Sequence, residues 1–373
     1  MRIGIPTEVK SQEYRVAVVP EDVATLCQQS HTVLVQRGAG QGSGFDDEAY
    51  RRAGATIVDS AQALFAEAEL IVKVKEPQPG EYALLRPEHT LFCYLHLAPA
   101  VELTDALVAS GASCVAYETI TDSAGRLPLL MPMSEIAGRL ATQAGAHCLE
   151  KAQGGAGVLL GSVAGLPPAK VLIFGGGTVG TNAAEVAVGM GASVTVIDPN
   201  DKRRQQLQTE FAGADFTVLD APDLASMLPE TDLVIGAVLL PGAESPKVLQ
   251  RSHLGDLKPG SVLVDVAVDQ GGCFATTRPT THGDPTFVEE GIVHYCVANI
   301  PSAVARTASQ ALSSASRPYL QQLASGPLAE VLAKDAHLLA GLNVAAGKVC
   351  FDAVASAQGR DYTPPEDVLA LIA

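Results

Sequence analysis

The run Lys170-Val-Leu-Ile-Phe174 passes without a break into Gly175-Gly-Gly-Thr-Val-Gly180, and no other stretch restricts the fold as tightly. The first five residues read as a buried strand. Thr181 to Met190 reads as a helix and Ser193-Val-Thr-Val-Ile-Asp198 as the next strand, so an acid closes that strand 23 residues after Gly175. A G-x-G-x-x-G turn means little alone. Between a strand and a helix, with that acid following, it has the full context of a dinucleotide-binding turn. Gly175 permits the tight turn, Gly177 admits a pyrophosphate to the backbone, and Gly180 lets the helix pack on its strand. The helix N-terminus offers unpaired N–H groups and partial positive charge to phosphate oxygens. Asp198 is suited to accept hydrogen bonds from the adenine-ribose hydroxyls and to repel a 2′-phosphate. That favours NAD, while Lys202 and Arg203 nearby keep NADP open. The plainer alternative is a glycine-rich turn in an ordinary α/β protein, with Asp198 a solvated strand end.

The rest of the chain agrees with an α/β reading. Apolar residues make up 47% and charged ones 18%, which excludes disorder. Aromatics are only 5% and Trp is absent, so the core must be aliphatic. With 25 Lys+Arg against 41 Asp+Glu the net charge is −16, which argues against nucleic acid and anionic membranes as partners. The seven cysteines form no C-x-x-C and no Cys/His spacing that suits zinc, so no metal is expected. Reduced, buried thiols imply a cytoplasmic protein. The N-terminus MRIGIPTEVK carries no signal-peptide pattern, and no run of 18 apolar residues occurs.

At 373 residues, two domains are expected. Strands and helices alternate over about the first 130 residues: strands at 2–5, 32–36, 55–58, 70–75, 90–95 and 113–117, with helices at 20–29, 47–53, 61–67 and 101–110. Residues 132–153 read as one long helix. A second alternating array runs from Lys170 to about Ala298. Beyond Pro301 the patterns at 302–324, 328–339 and 345–357 are helical, with little sign of strands. A tail of that size cannot bury a core alone and should return to the first array. The expected fold is therefore two Rossmann-like doubly wound α/β domains, the first discontinuous, joined by two long helices. The boundaries fall at 1–130 plus 306–373 for one domain and 131–305 for the other. A cleft between such halves is a common place for a substrate.

Parallel α/β sheets bind ligands at the carboxyl ends of their strands. Three groups of the first array fall there: Arg15 after the first strand, Lys75 closing Leu70-Ile-Val-Lys-Val-Lys, and His96 closing Leu91-Phe-Cys-Tyr-Leu-His. Arg15 and Lys75 suit a carboxylate, one as a fork and the other as a point charge. A histidine beside a reacting carbonyl can exchange its proton. In the second array, Ser261 to Asp269 reads as a strand running into Gly271-Gly272, with Asp269 facing the ligand. Each has a plainer role open to it. His96 would be a core or loop histidine, Arg15 and Lys75 surface charges, Asp265 a strand-end cap and Asp269 a turn former.

The stretches MRIGIPTEVKSQEYRVAVVP, IVKVKEP, LFCYLHLA, LPLLMPMSEIAGRLATQAGA, VLVDVAVDQGGCF and HYCVANIPSAVARTAS together resemble the bacterial alanine dehydrogenases. That family includes the NAD-binding domain of proton-translocating transhydrogenase. The resemblance runs through nearly the whole chain in order. It implies reversible oxidative deamination of L-alanine to pyruvate and ammonium with NAD, in a homohexamer. It implies that Arg15 and Lys75 bind the substrate and that His96 is acid/base at the pyruvate oxygen or the carbinolamine hydroxyl. Asp269 would assist ammonia or water. It also implies NAD contacts at Ser134, Thr178, Val179, Asp198, Arg203, Val238, Leu239, Arg278 and Asn299. Gly176 stands where alanine is common, Arg203 where lysine is common and Ala305 where proline is often found. Two other functions stay open: a transhydrogenase subunit, against which Lys75, His96 and an end at Ala373 count, and a catalytically silent NAD-binding protein.

Overall fold

The computed structural model describes residues 1–221, 223–238 and 245–372. It divides into two compact units, one of residues 1–133 with 302–373 and the other of residues 134–301. The chain passes from the first unit to the second inside the helix Met131–Cys148, and returns in the 3-10 turn Ile300–Val304, just ahead of the helix Ala305–Ala324. Ala305 opens that last helix, at a position where proline is favoured.

Strands of the first unit are β1 (Arg2–Ile5), β2 (Thr32–Gln36), β3 (Thr56–Val58), β4 (Leu70–Val72), β5 (Thr90–Cys93) and β6 (Ser113–Ala116). Those of the second unit are β7 (Lys170–Phe174), β8 (Ser193–Ile197), β9 (Phe216–Leu219), β10 (Leu233–Gly236), β11 (Val262–Asp265), β12 (Thr286–Glu289) and β13 (Ile292–Tyr295). The tail adds β14 (Leu342–Ala345) and β15 (Lys348–Val349) to the first unit. Among the described residues the sheets are ordered β15-β14-β6-β5-β4-β1-β2-β3 and β12-β13-β11-β10-β7-β8-β9. Each contains the doubly wound order, two strands running one way from the first and three the other, all six parallel. The reversal lies between β1 and β4 in one sheet and between β7 and β10 in the other.

Parallel strands covered on both faces need apolar residues in succession. Leu172, Val234 and Leu263 pack on one side of the second sheet, while Ile173, Ile235 and Val264 pack on the other. Leu91, Cys93, Cys114 and Ala116 do the same work in the first unit, with helix residues Leu64, Phe65, Leu103 and Leu107.

Several sequence expectations are corrected. The tail is not all helical: β14 pairs antiparallel with β6, and β15 antiparallel with β14. The residues at 345–357 are the end of β14, a turn, the strand β15 and most of the helix Asp352–Gln358. The long helix stops at Cys148, with a separate 3-10 turn at Lys151–Gln153. The strand expected over 261–269 ends at Asp265, and Asp269 lies in the 3-10 turn Val268–Gln270. All seven cysteines are free, six of them buried and Cys27 half-buried.

Candidate active site

In the first unit the reversal point gathers a buried set of charges. The chain leaves β1 through Glu8 and reaches Arg15. It leaves β4 through Lys73 and Lys75, and it leaves β5 through Tyr94 and His96. Arg15 is 2% exposed, and its guanidinium donates from Nε and Nη2 to the Glu13 carboxylate at 2.7 and 2.6 Å. Its Nη1 faces Met133 Sδ at 3.1 Å. Burial opposes the charge, but Glu13 outweighs it and Arg15 is held more firmly protonated than usual. Lys73 is fully buried between Glu8 and Glu81, at 3.3 and 2.9 Å. Burial opposes its charge too, and the two carboxylates more than restore it. Burial pushes the Glu8 carboxyl up, with Lys73 pulling the other way. Glu8 also accepts the Val74 N–H at 2.6 Å and the Lys75 N–H at 3.4 Å, which fixes the backbone carrying Lys75. Lys75 is 9% exposed. Arg15 and Lys75 are thus buried, which excludes the surface-charge alternative. Glu8, Glu13, Tyr14 and Arg15 line an open depression of about 310 Å³.

The Arg15 loop hangs on the serines of the helix Ala305–Ala324 and the turn before it. Ser309 Oγ accepts the Val16 N–H at 2.9 Å, Ser313 Oγ the Val19 N–H at 3.1 Å and Ser302 Oγ the Tyr14 N–H at 3.4 Å. This is why that helix buries serines. His96 lies three residues past β5 with a left-handed backbone, φ +48°, and its side chain is 48% exposed. Its ring lies parallel to Tyr94, with centroids 5.7 Å apart. Burial pushes the Tyr94 phenol up, Arg15 pulls it down, and the hydroxyl donates to Leu129 O at 2.5 Å. The Leu97 and Ala98 carbonyls that follow His96 accept from Gln358 of the tail. Arg15, Lys75 and His96 therefore share one edge of one sheet.

The second unit carries the glycine turn. Gly175 has φ +94°, and a Cβ there would stand 2.6 Å from Ala237 O, at the neighbouring end of β10. A Cβ on Gly180 would stand 1.8 Å from Gly175 O. A Cβ on Gly177 would meet nothing within 4 Å, so the space in front of that backbone is open. No side chain caps the helix Thr178–Gly189, whose first turn carries Thr178 and Val179. These features fit a dinucleotide: a cradle with room for phosphates and free first-turn N–H groups. Asp198 Oδ2 accepts the Gly176 N–H at 2.7 Å and its Oδ1 accepts the Asn200 N–H at 2.8 Å, which fixes the carboxylate beside the turn. Arg203 donates from Nε to Gly176 O at 2.6 Å and from Nη2 to Thr181 Oγ1.

The remaining expected contacts scatter over the same unit. Ser134 lies on the helix Met131–Cys148, in which Gly138 would place a Cβ 2.1 Å from Val179 O. Val238 follows β10 and is half-buried. Arg278 lies over the Phe287 ring at 4.0 Å, and Asn299 has φ +61°. Leu239 lies outside the described residues. Asp269 is exposed on its turn. Asp265 is buried and accepts from the N–H groups of Ala267, Cys273 and Phe274 and from the Thr277 hydroxyl, so it is the strand-end cap. Burial pushes its carboxyl up. Sequence reasoning missed Glu8, Glu13, Glu81 and Glu118. Only Glu13, two residues from Arg15, offered a local signal. Among the described residues no cluster of His, Cys, Asp or Glu is placed to hold a metal ion. Among them, too, no helix is long and apolar enough to cross a membrane.

A sheet of this order with a strand–G-x-G-x-x-G–helix turn at its reversal point defines a Rossmann-type dinucleotide-binding protein. The family models "Alanine dehydrogenase/PNT, N-terminal domain" and "Alanine dehydrogenase/PNT, C-terminal domain" match residues 4–137 and 141–352, and the chain belongs to this family. The alanine dehydrogenase of Halomonas elongata is 53% identical over 97% of this chain and 98% of its own. A solved L-alanine dehydrogenase superposes with a TM-score of 0.93 at 47% identity, covering 96% of this chain and 99% of that one. A transhydrogenase from Sinorhizobium meliloti shares the fold, with a TM-score of 0.81 at 24% identity over 95% of this chain and all of that one.

Proposed function

We propose that this protein is an NAD-dependent amino-acid dehydrogenase that converts L-alanine reversibly to pyruvate and ammonium. Residues 1–130 with 306–373 are the substrate domain in this reading, and residues 131–305 the NAD domain. The observation that carries it is the edge of β1, β4 and β5, where the segments leaving those strands carry Arg15, Lys75 and His96, in a chain 53% identical to an alanine dehydrogenase. When bound, the nicotinamide supplies the hydride acceptor, its C4. Gly175, Gly177, Thr178, Val179 and Gly180 hold the pyrophosphate, with Ser134, Val238, Leu239, Arg278 and Asn299 as further contacts. Asp198 selects NAD, because a fixed carboxylate repels a 2′-phosphate, and Arg203 is already committed to the turn.

Arg15 and Lys75 bind the substrate carboxylate and carbonyl region. Arg15 Nη1 faces a thioether, a weak acceptor that a carboxylate oxygen outcompetes. Loss of hydride from Cα leaves an imine carbon. Water adds there to give a carbinolamine, and loss of ammonia leaves the ketone. His96 takes the proton from the carbinolamine hydroxyl, and in reverse gives one to the pyruvate oxygen. Asp269 assists the water and the ammonia. The sum is L-alanine, NAD⁺ and water giving pyruvate, ammonium, NADH and one proton, so alkaline pH drives deamination. We further infer a cytoplasmic homohexamer, the location supported by the free, mostly buried thiols and the assembly by family resemblance alone.

The test is NADH formation from L-alanine at alkaline pH, beside NADP⁺ and a panel of small amino acids. No turnover with any of them sinks the reading. In His96→Ala turnover should vanish while NADH binding survives, and lost cofactor binding would mean the histidine has another role.

A further inference from the structure

His96 holds a backbone conformation that L side chains avoid, so something must hold it there. The holder is Glu118. β5 and β6 run parallel with Cys93 opposite Ala116, so the 3-10 turn Tyr117–Thr119 leaves β6 beside residues 94–96. Glu118 Oε1 accepts the His96 N–H at 2.6 Å and the Leu95 N–H at 3.1 Å, and its Oε2 lies 3.2 Å from the same Leu95 nitrogen. The Glu118 side chain is 13% exposed, and Oε1 is 3.8 Å from His96 Nδ1. That is too long for a hydrogen bond, so the contact that matters is with the backbone.

We propose that Glu118 is the positioning residue of His96, an inference that rests on the alanine dehydrogenase reading. Its carboxylate clamps the two amides that aim the imidazole over Tyr94. In the proposed reaction that imidazole exchanges a proton with the substrate oxygen. Proton exchange at that oxygen follows C–H cleavage in the deamination direction. Loosening His96 therefore slows a step that comes after the hydride has left.

The experiment uses full-length Glu118→Ala and Glu118→Gln with L-alanine, measuring kcat, KM, NADH affinity and two isotope effects. In Glu118→Ala, kcat should fall about 10- to 100-fold, less than the roughly 10²- to 10⁴-fold that an acid–base group itself contributes. KM and NADH affinity should stay within about threefold. The effect of D2O on kcat should rise and that of 2-deuterated L-alanine should fall toward one. Glu118→Gln keeps one oxygen for the His96 N–H and should lose less, with the same isotope signature. It carries the test if the alanine variant does not fold. A smaller folded fraction lowers kcat and moves neither isotope effect, so that result overturns the proposal, as does wild-type kcat in both variants. Failure of the wild-type enzyme to oxidise L-alanine would instead overturn the functional reading.

Discussion

Gly177→Ala and Gly180→Ala should separate ligand binding from folding within one six-residue turn. Gly177 has φ −68°, open to any residue, and its ideal Cβ meets no atom within 4 Å. Alanine there trims the entropy of the unfolded chain, a gain of about 0.4–1 kcal/mol. It also replaces glycine at a helix N-cap, a loss of about 1 kcal/mol. The two nearly cancel, so the ligand-free melting point should move by no more than roughly 2–4 °C. The new methyl points into the space a pyrophosphate would occupy. Hydrogen bonds to charged acceptors contribute about 1.5–3 kcal/mol each. Losing two costs about 3–6 kcal/mol, or roughly 10²- to 10⁴-fold in Kd.

Gly180→Ala has the opposite profile. Its Cβ would lie 1.8 Å from Gly175 O and 2.9 Å from Gly175 C, backbone atoms that cannot swing aside. Overpacking of this kind costs about 1–3 kcal/mol or more, with or without ligand. NADH fluorescence titration and thermal melting, with and without NADH, read both effects on the intact enzyme. If Gly177→Ala binds NADH within threefold of wild type, or melts as early as Gly180→Ala, the dinucleotide cradle is misassigned.

Two further outcomes concern stability. Burial pushes the thiols of Cys273 and Cys296 up to about 12 and those of Cys148 and Cys350 up to about 11, whereas an unfolded thiol titrates near 8.5. A raised folded pKa means stability intact below the unfolded value and lost as pH rises past it, about 2 kcal/mol per thiol between pH 8 and 10. The urea midpoint should fall over that range, and less steeply in Cys296→Ala; equal slopes would refute the cause. Asp265→Asn turns an amide N–H₂ toward donors the carboxylate accepts, so the variant should lose about 2–3 kcal/mol, visible as an earlier melt. Wild-type stability there would mean that Asp265 does not cap the strand.

What the sequence disclosed follows the range of the interaction. The glycine turn was legible because its strand, turn, helix and acid are consecutive: Gly180 answers to Gly175 O, and Asp198 takes the Gly176 N–H, although Gly175 itself answers to Ala237 O on the neighbouring strand end. β14 was not, since Leu342-Asn-Val-Ala is too short to show a period and is a strand by pairing with Cys114 and Val115 on one side and Lys348 and Val349 on the other. Asp265 and Asp269 merged into one apparent strand because Val266-Ala-Val268 continues the apolar run. The carboxylate of Asp265 ends the ladder by taking the Ala267 N–H. The basic residues of the site were visible at strand ends, but their partners were hidden. Glu8 reaches Val74 and Lys75 across the sheet, and Glu118 reaches His96 from the next strand.

Those partners explain how a chain of net charge −16 can meet an anionic substrate. Arg15, Lys73 and Lys75 stand against Glu8, Glu13 and Glu81 at one edge of the first sheet, three charges of each sign. Such a set has no excess positive field to draw an anion in. Its contribution is geometric: Glu13 grips two nitrogens of the Arg15 fork and fixes its plane, and Glu8 fixes the backbone that carries Lys75. Stripping water from Arg15 would be a large cost if a substrate had to do it on arrival. Here folding has already done it, with Glu13 as counter-charge. In the proposed reading, a carboxylate arriving at Arg15 meets a guanidinium whose plane Glu13 has already fixed. Affinity then depends on preorganised donors and not on net charge, and lowering the protein's overall acidity should change the rate of encounter far more than the strength of binding.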